Sequence, residues 1–443
     1  MNARQTLEDI QQVVDDTLKL AKKLGATQAE ASMSKVQGIA VSSRMQQIET
    51  LEFTNDGGLG ISVYVGKRKG SASTADLSPQ ALKMTVEKAI EIARYTSEDP
   101  FNGLVEEDLI ARDFPDLDLY HPIELDAEAG IKLAIEAEKV AFEQDERITN
   151  SDGASYNANL GVKVYGNTHG INAGYPSSRY SLSCVVIAQQ GDDMQRDYAY
   201  SVNREAHLLN SAEQVGKEAA QATLSRLGGR TLKTTKAPVM FHREIASGLF
   251  GHLVSAISGG SLYRKSSFLL DHLDKQVLPS WMTIKERPHI KKGLASSIFD
   301  HEGARTEDLD IIENGILRHY LLTSYSARKL GMRSNGHAGG IHNWLIQDSG
   351  QDFDQLLKEM GSGLLVTELM GQGVNIVNGD YSRGAAGFWV EDGEIAYPVH
   401  EITIAGNLKD MLKNIRAIGT DTETRGAVQT GSILIGNMQI AGD

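Results

Sequence analysis

A catalytic zinc held on a helix needs two histidines on one face, with a glutamate beside the first to act as general base. The stretch Phe241-His242-Arg243-Glu244-Ile245-Ala246-Ser247 has the outline of such a site with its chemistry exchanged. His242 stands where a first ligand would stand. Arg243 follows it where the base belongs, and Ser247 holds the place of the second ligand in an HExxxH pattern. Serine is a poor zinc ligand, and a guanidinium cannot accept a proton. His252 falls on the same predicted helix, but a spacing of ten residues points it about 80° away from His242, so the two cannot share one metal. The residues therefore describe either an enzyme with unusual ligands or the non-catalytic relative of one.

Three other segments carry polar groups among glycines. Gly336-His337-Ala338-Gly339-Gly340-Ile341-His342 places two histidines five apart. This pattern admits a metal site, a backbone surface approached by an extended peptide, or tight turns. Gly379-Asp380-Tyr381-Ser382-Arg383-Gly384 is a second glycine-bounded segment, with Asp380, Ser382 and Arg383 as its polar groups. Asp300-His301-Glu302-Gly303 has half of a catalytic set, and a solvated loop is the reading preferred for it. No G-x-x-x-x-G-K-[ST] and no G-x-S-x-G occurs, so neither a nucleotide P-loop nor a serine hydrolase elbow is supported.

These groups must be positioned by more than one domain, because 443 residues exceed an ordinary single core. Apolar residues make up 41% and charged residues 23%, the balance of a soluble globular protein. A net charge of −14, from 58 acidic and 44 basic residues, argues against a nucleic-acid partner. The one cysteine, Cys184, excludes an intrachain disulfide framework and lies in a strand-like run. No apolar stretch suits a signal peptide or a membrane span, and a cytoplasmic location is expected.

Helical periodicity covers residues 4–24, and Ser78-Pro79 opens a second helix with a cap and a proline in its first turn. Strand-like runs lie between them at Ala31–Val36, Gly38–Arg44, Ile48–Thr54 and Gly60–Val65, with Asn55-Asp56-Gly57-Gly58 as a turn signal. The same order recurs: a helix over 125–144, strands from Gly161 to Val202, and a helix opened by Ser211. The fold expected is α+β with two domains. Residues 1–229 form an N-terminal α+β domain of two helix–strands–helix units, and residues 230–443 a C-terminal β-rich, barrel-like domain. In the latter, Asn314-Gly315 and Asp392-Gly393 mark hairpins, Phe353–Met360 a helix, Lys409–Ile418 a short helix, and Ser432–Ile435 and Met438–Ala441 the last strands.

Several long strings carry a resemblance: Gly248–Val254, Gly259–Ser266, Leu322–Gly331, Gly336–Trp344 and Gly379–Trp389. On these the chain resembles the TldD/PmbA family over nearly its whole length, in the PmbA-type (TldE-type) branch. The resemblance implies a cytoplasmic two-subunit zinc metalloprotease, also named modulator of DNA gyrase. Its TldD-type subunit carries HExxxH and a distant cysteine ligand. The paired C-terminal domains enclose a chamber in which unfolded peptides, such as a microcin precursor leader or an antitoxin, bind as added strands and are cut. Carried over residue by residue, the first zinc histidine matches His242, the base Arg243 and the second histidine Ser247, and no cysteine lies in the C-terminal half. The expectation is a subunit that binds no cofactor itself, with zinc in a TldD-type catalytic partner. Unfolded peptides are the substrates, a homodimer is possible in isolation, and no nucleic acid or membrane is involved. Gly336, His337, Gly339, Gly340, His342, Asp380, Ser382 and Arg383 are expected to line the chamber. The rival readings are an autonomous metallopeptidase using His242 with His337 or His342, and a peptide-binding or gyrase-modulating protein without protease chemistry.

Overall fold

Long strands organise the first half of the chain. The computed structural model describes residues 2–442. Strands β1 (Gln28–Arg44), β2 (Gln47–Val65) and β3 (Arg68–Thr74) follow helix α1 (Ala3–Lys23). Helices α2 (Pro79–Tyr95) and α3 (Ala127–Gln144) lead to β4 (Ile148–Asn167), β5 (Asn172–Gln190), β6 (Asp193–Asn203) and helix α4 (Ala212–Ser225). The six strands form one antiparallel sheet in the order β3-β2-β1-β4-β5-β6. Alternation puts Ala29, Ala31, Met33, Ile39 and Val41 of β1 on one face. The first three pack under α1 and α2, and the last two under α3. The two helix–strands–helix units therefore sit side by side on one face of a shared sheet, because strands of 17–20 residues are long enough to floor both.

Asn55-Asp56-Gly57-Gly58 is not a turn. These residues continue β2, paired with Gln37 through Ser34 of β1. A 17-residue partner strand supplies a ladder position for each of them, and at Gly57 an added Cβ would stand 3.2 Å from the Ser34 carbonyl oxygen. The real hairpin turn is Met45-Gln46, with both residues at positive φ (52° and 61°). Glu138 of α3, fully buried, offsets that strain. Its carboxylate accepts the Met45 and Gln46 backbone N–H groups at 2.7 and 2.8 Å and the Ser43 hydroxyl at 3.0 Å.

The second half is built on β7 (Thr235–Phe241), followed by α5 (Arg243–Ile257) and α6 (Gly259–Tyr263). Three short strands, β8 (Ile284–Glu286), β9 (Leu309–Glu313) and β10 (Ile316–Leu317), precede α7 (Ser324–Leu330), β11 (Trp344–Ile346) and α8 (Phe353–Met360). Then come β12 (Gly363–Met370), β13 (Asp380–Glu391), β14 (Glu394–Asn407), α9 (Leu408–Lys413), β15 (Ile415–Ile418), β16 (Val428–Gln429) and β17 (Ile433–Ala441). Strands β14, β13, β12, β7 and β17 lie side by side, and pairing of β14 with β17 closes them into a five-stranded barrel. Val239 and Phe241 join the large core shared with α5, while Met240, between them, faces α8 on the other side. The expected helix over Lys409–Ile418 is split, since Ile415–Ile418 leaves α9 to pair with β17.

The two halves meet on the sheet face opposite the four helices. Tyr165, Ile171 and Ala173 pack there with Ile298, Phe299 and Ala304. Asp300 is correspondingly buried at this seam and Glu302 half-buried, while His301 is exposed, so the loop is only partly solvated, against the expectation from the sequence. Asp300 accepts the Glu302, Ala304 and Ala338 backbone N–H groups at 2.8, 2.9 and 3.0 Å. Burial and the nearby Glu302 carboxylate push its pKa up to about 7, against the pull of those three donors. An unfolded aspartate titrates near 3.9. Between roughly pH 4 and 7 the folded state thus binds the extra proton, so this group's contribution to stability falls as pH rises through that window. Melting temperatures of the native chain and an Asp300→Asn variant are expected to show it. The native-minus-variant difference should decrease from pH 5 to pH 8, and a flat difference would contradict the assignment.

Candidate functional site

His242 is the residue before α5, in extended conformation, and not within the helix. Its backbone N–H donates to the Val366 carbonyl of β12 at 2.9 Å, which ties the helix start to the barrel wall. The imidazole packs edge-on to Phe353 of α8, with ring centroids 5.8 Å apart. Burial holds its pKa below the ordinary histidine value; Glu244 opposes this and Arg243 reinforces it. The ring is therefore neutral at physiological pH. Arg243 is exposed, and its backbone N–H donates to Ser432 Oγ at 3.0 Å. Ser247 lies farther along α5, half-buried.

His242 and Arg243, but not Ser247, line a cleft between the two halves of the molecule, about 900 Å³ in volume. One wall is β6 and α4, with Tyr198 and Tyr200 on the same face of the strand, their rings 6.1 Å apart. The other wall is the α5 start, Phe388 and the loop Thr422–Arg425. Two arginines hold the walls together. The Arg425 guanidinium stacks 4.1 Å from the Tyr200 ring and donates to the Tyr200 carbonyl at 2.5 Å, to Glu244 at 2.8 Å and to Glu423. Burial works against ionisation of Glu423, but its hydrogen bonds from Arg425 prevail and keep its pKa below the usual carboxylate range. From the N-terminal half, Arg226 bridges Asp197, at 3.3 Å, and Glu368 of β12.

The donor set does not fit a catalytic zinc. His242 is one possible ligand, but Glu244 and Glu423 are committed to Arg425, and Asp421 accepts the Ser432 N–H and hydroxyl at 3.0 and 2.7 Å. Among the described residues, no group of three His, Cys, Asp or Glu side chains is placed to hold a metal ion. Three protein ligands and an open position are the minimum for hydrolytic zinc.

The glycine-rich segments lie away from this cleft. His337 and His342 are buried and face inward. His337 Nδ1 lies 2.8 Å from Asn335 Oδ1, and Nε2 is 2.9 Å from Glu286 Oε1, close but out of line for a good hydrogen bond. His342 Nε2 is 3.1 Å from the Gly336 carbonyl. Neither ring lines the cleft, and only Gly339 and Gly340 of that loop are exposed, with φ of 99° and 123°. As a surface for peptide the loop therefore offers those two glycines, not its histidines. Asp380 and Ser382 are exposed at the start of β13. Asp380 accepts from Asn378 and Asn407, and Arg383 Nε donates to the Met370 carbonyl at 3.2 Å. The structure does not bring these residues together with His242. Sequence reasoning missed Tyr198, Tyr200, Arg226 and Arg425. The aromatic alternation Tyr198-Ala199-Tyr200 was the available signal, but its partners lie more than 200 positions away in the chain.

Comparison with known proteins matches three consecutive family models to the chain. PmbA/TldA metallopeptidase domain 1 covers residues 29–93, the central domain 120–227 and the C-terminal domain 234–442. Metalloprotease PmbA of Escherichia coli O157:H7 is 57% identical over 439 residues, covering 98% of each chain. A PmbA homologue of Haemophilus influenzae is 56% identical over 437 residues, covering 98% of this chain and 97% of its own. Among solved structures, a Bacteroides thetaiotaomicron protein, named only provisionally as a modulator of DNA gyrase, superposes with a TM-score of 0.93 at 26% identity, covering 98% of both chains. TldE from Thermococcus kodakarensis shares the fold, with a TM-score of 0.85 at 21% identity over 97% of this chain and 100% of that one.

Proposed function

The chain belongs to the PmbA/TldD metallopeptidase family, and from that premise we propose that it is the non-catalytic subunit of a heteromeric zinc metallopeptidase that acts on unfolded peptides. The observation that carries this reading is the chemistry at the start of α5. A neutral histidine stands outside the helix, a guanidinium follows it, a serine takes the second ligand position, and the neighbouring carboxylates are consumed by Arg425. Zinc and the general base would then come from a TldD-type subunit. This chain contributes the aromatic, arginine-braced cleft and the barrel against which that subunit closes. No described helix is long and apolar enough to cross a membrane, which is compatible with work on free peptides in the cytoplasm.

The test is metal content together with peptide hydrolysis. The purified chain is expected to hold well under one equivalent of zinc and to leave an unfolded peptide intact. Mixing it with a TldD-type subunit should produce chelator-sensitive cleavage that neither chain shows alone. Chelator-sensitive hydrolysis by this chain by itself, with zinc near one equivalent, would overturn the reading.

A further inference from the structure

The hairpin β1–β2 leaves a sheet edge uncovered. Strand β3 pairs with β2 only from Leu59 to Val65, so the outer edge of Gln47–Asp56 has no strand beside it among the described residues. That is about ten residues, on the order of 33 Å of unpaired backbone donors and acceptors. Natural edges are usually blunted by lysine, proline, bulges or a covering element. Here the segment holds neither lysine nor proline, and its one bulge, at Glu49, leaves Thr50–Asp56 in regular register with β1.

The side chains repeat the message. Leu51 stands opposite Val41, and Phe53 opposite Ile39. Cross-strand partners share a face, so Leu51 and Phe53 continue the apolar surface that α3 covers over Ile39 and Val41. Beyond the helices that surface is bare: Leu51 is 41% exposed and Phe53 68%, and Ile48, opposite Ser43 on the same face across a bulge, is 51% exposed. The turn is held rigid by Glu138, so the edge is presented preformed.

Charge selects the occupant. The segment carries Glu49, Glu52 and Asp56 and no base. Arg44 reaches Glu49 at 4.0 Å, while Glu52 and Asp56 have no ion-pair partner among the described residues. A second copy paired edge to edge would gather six carboxylates against two arginines, on a chain already at −14. We propose that Gln47–Asp56 of β2 is a strand-addition interface for an edge strand of a different polypeptide, one that brings apolar side chains onto Leu51 and Phe53 and basic side chains to Glu52 and Asp56. The identity of that polypeptide as the catalytic subunit rests on the function proposed above.

Hydrogen exchange of the chain, alone and mixed with a TldD-type subunit, tests this. Alternate amides within Thr50–Asp56, beyond the bulge at Glu49, should become protected only in the mixture. Phe53→Lys, at a position open enough to leave the fold intact, is expected to weaken the complex about 30-fold or more. Glu52→Lys with Asp56→Lys should also weaken it and reduce its sensitivity to salt. A complex of full affinity with these amides unprotected would overturn the edge proposal and leave the subunit reading standing. Absence of any complex would overturn both. Concentration-dependent protection in the isolated chain, abolished by Phe53→Lys, would make the occupant a second copy and refute the heterologous partner.

Discussion

Replacing Glu286 by alanine is expected to destabilise the C-terminal half by about 3–5 kcal/mol. Glu286 is almost completely buried on β8, between β9 and β11. Its Oε2 accepts the indole N–H of Trp344 at 2.6 Å, and its Oε1 lies 2.9 Å from His337 Nε2. Trp344 is fully buried, so the variant leaves an indole donor with no acceptor and a cavity beside it. An unsatisfied buried donor costs about 1–3 kcal/mol, and the cavity adds to that. Glu286→Gln keeps one acceptor oxygen for Trp344 and nearly the same volume, and should cost about 1 kcal/mol. Denaturant titration followed by tryptophan fluorescence measures both. A loss below about 1 kcal/mol for the alanine variant would show that Trp344 does not depend on this carboxylate.

Glu138→Ala is expected to cost about 2–4 kcal/mol, with the loss concentrated in the β1–β2 hairpin. The carboxylate is the shared acceptor for two backbone donors and one hydroxyl around Met45-Gln46. Those two residues occupy left-handed conformations that asparagine or glycine would adopt at lower cost. Removing the acceptor exposes the strain. Water reaches the turn, which keeps the cost below that of a sealed site. Limited proteolysis should show faster cleavage near residues 44–47 in the variant, with a lower melting temperature. Unchanged proteolysis would mean that the ladder to β1 alone fixes the turn.

Much of the fold was legible in short-range chemistry. The Ser78-Pro79 start, the Ser211 cap and the Asn314-Gly315 and Asp392-Gly393 turns are all present, each of the turn residues at positive φ. Phe353–Met360 is a helix with its capping box at Asp352 and Gln355. What failed was non-local. Asn55–Gly58 has turn composition, yet a long neighbouring strand holds it extended. Ile415–Ile418 has helical spacing, yet β17 offers it a ladder. The site divides in the same way. The altered ligand pattern at His242, Arg243 and Ser247 could be read directly, because its spacing is local. The cleft around it joins β6, α4 and the Thr422–Arg425 loop, which no spacing rule connects. The glycine-rich segments drew attention for backbone reasons. At Gly339 the structure supplies one: an added Cβ would meet the His301 ring at about 2.5 Å.

The barrel has a consequence for the order of assembly during synthesis. Strand β7 is the first of its strands to leave the ribosome, but its neighbours are β12 and β17. The hydrogen bond from the Arg243 N–H to Ser432 Oγ spans 189 positions. Until β17 is made, β7 has one open side and α5 has an incomplete floor. The first six strands, by contrast, are paired among themselves before β7 appears. The N-terminal half can therefore fold as it is synthesised, while the barrel waits for nearly its whole sequence and closes in a late, high-contact-order step. Nascent chains arrested before residue 433 would present an unclosed apolar sheet, the form most in need of a chaperone.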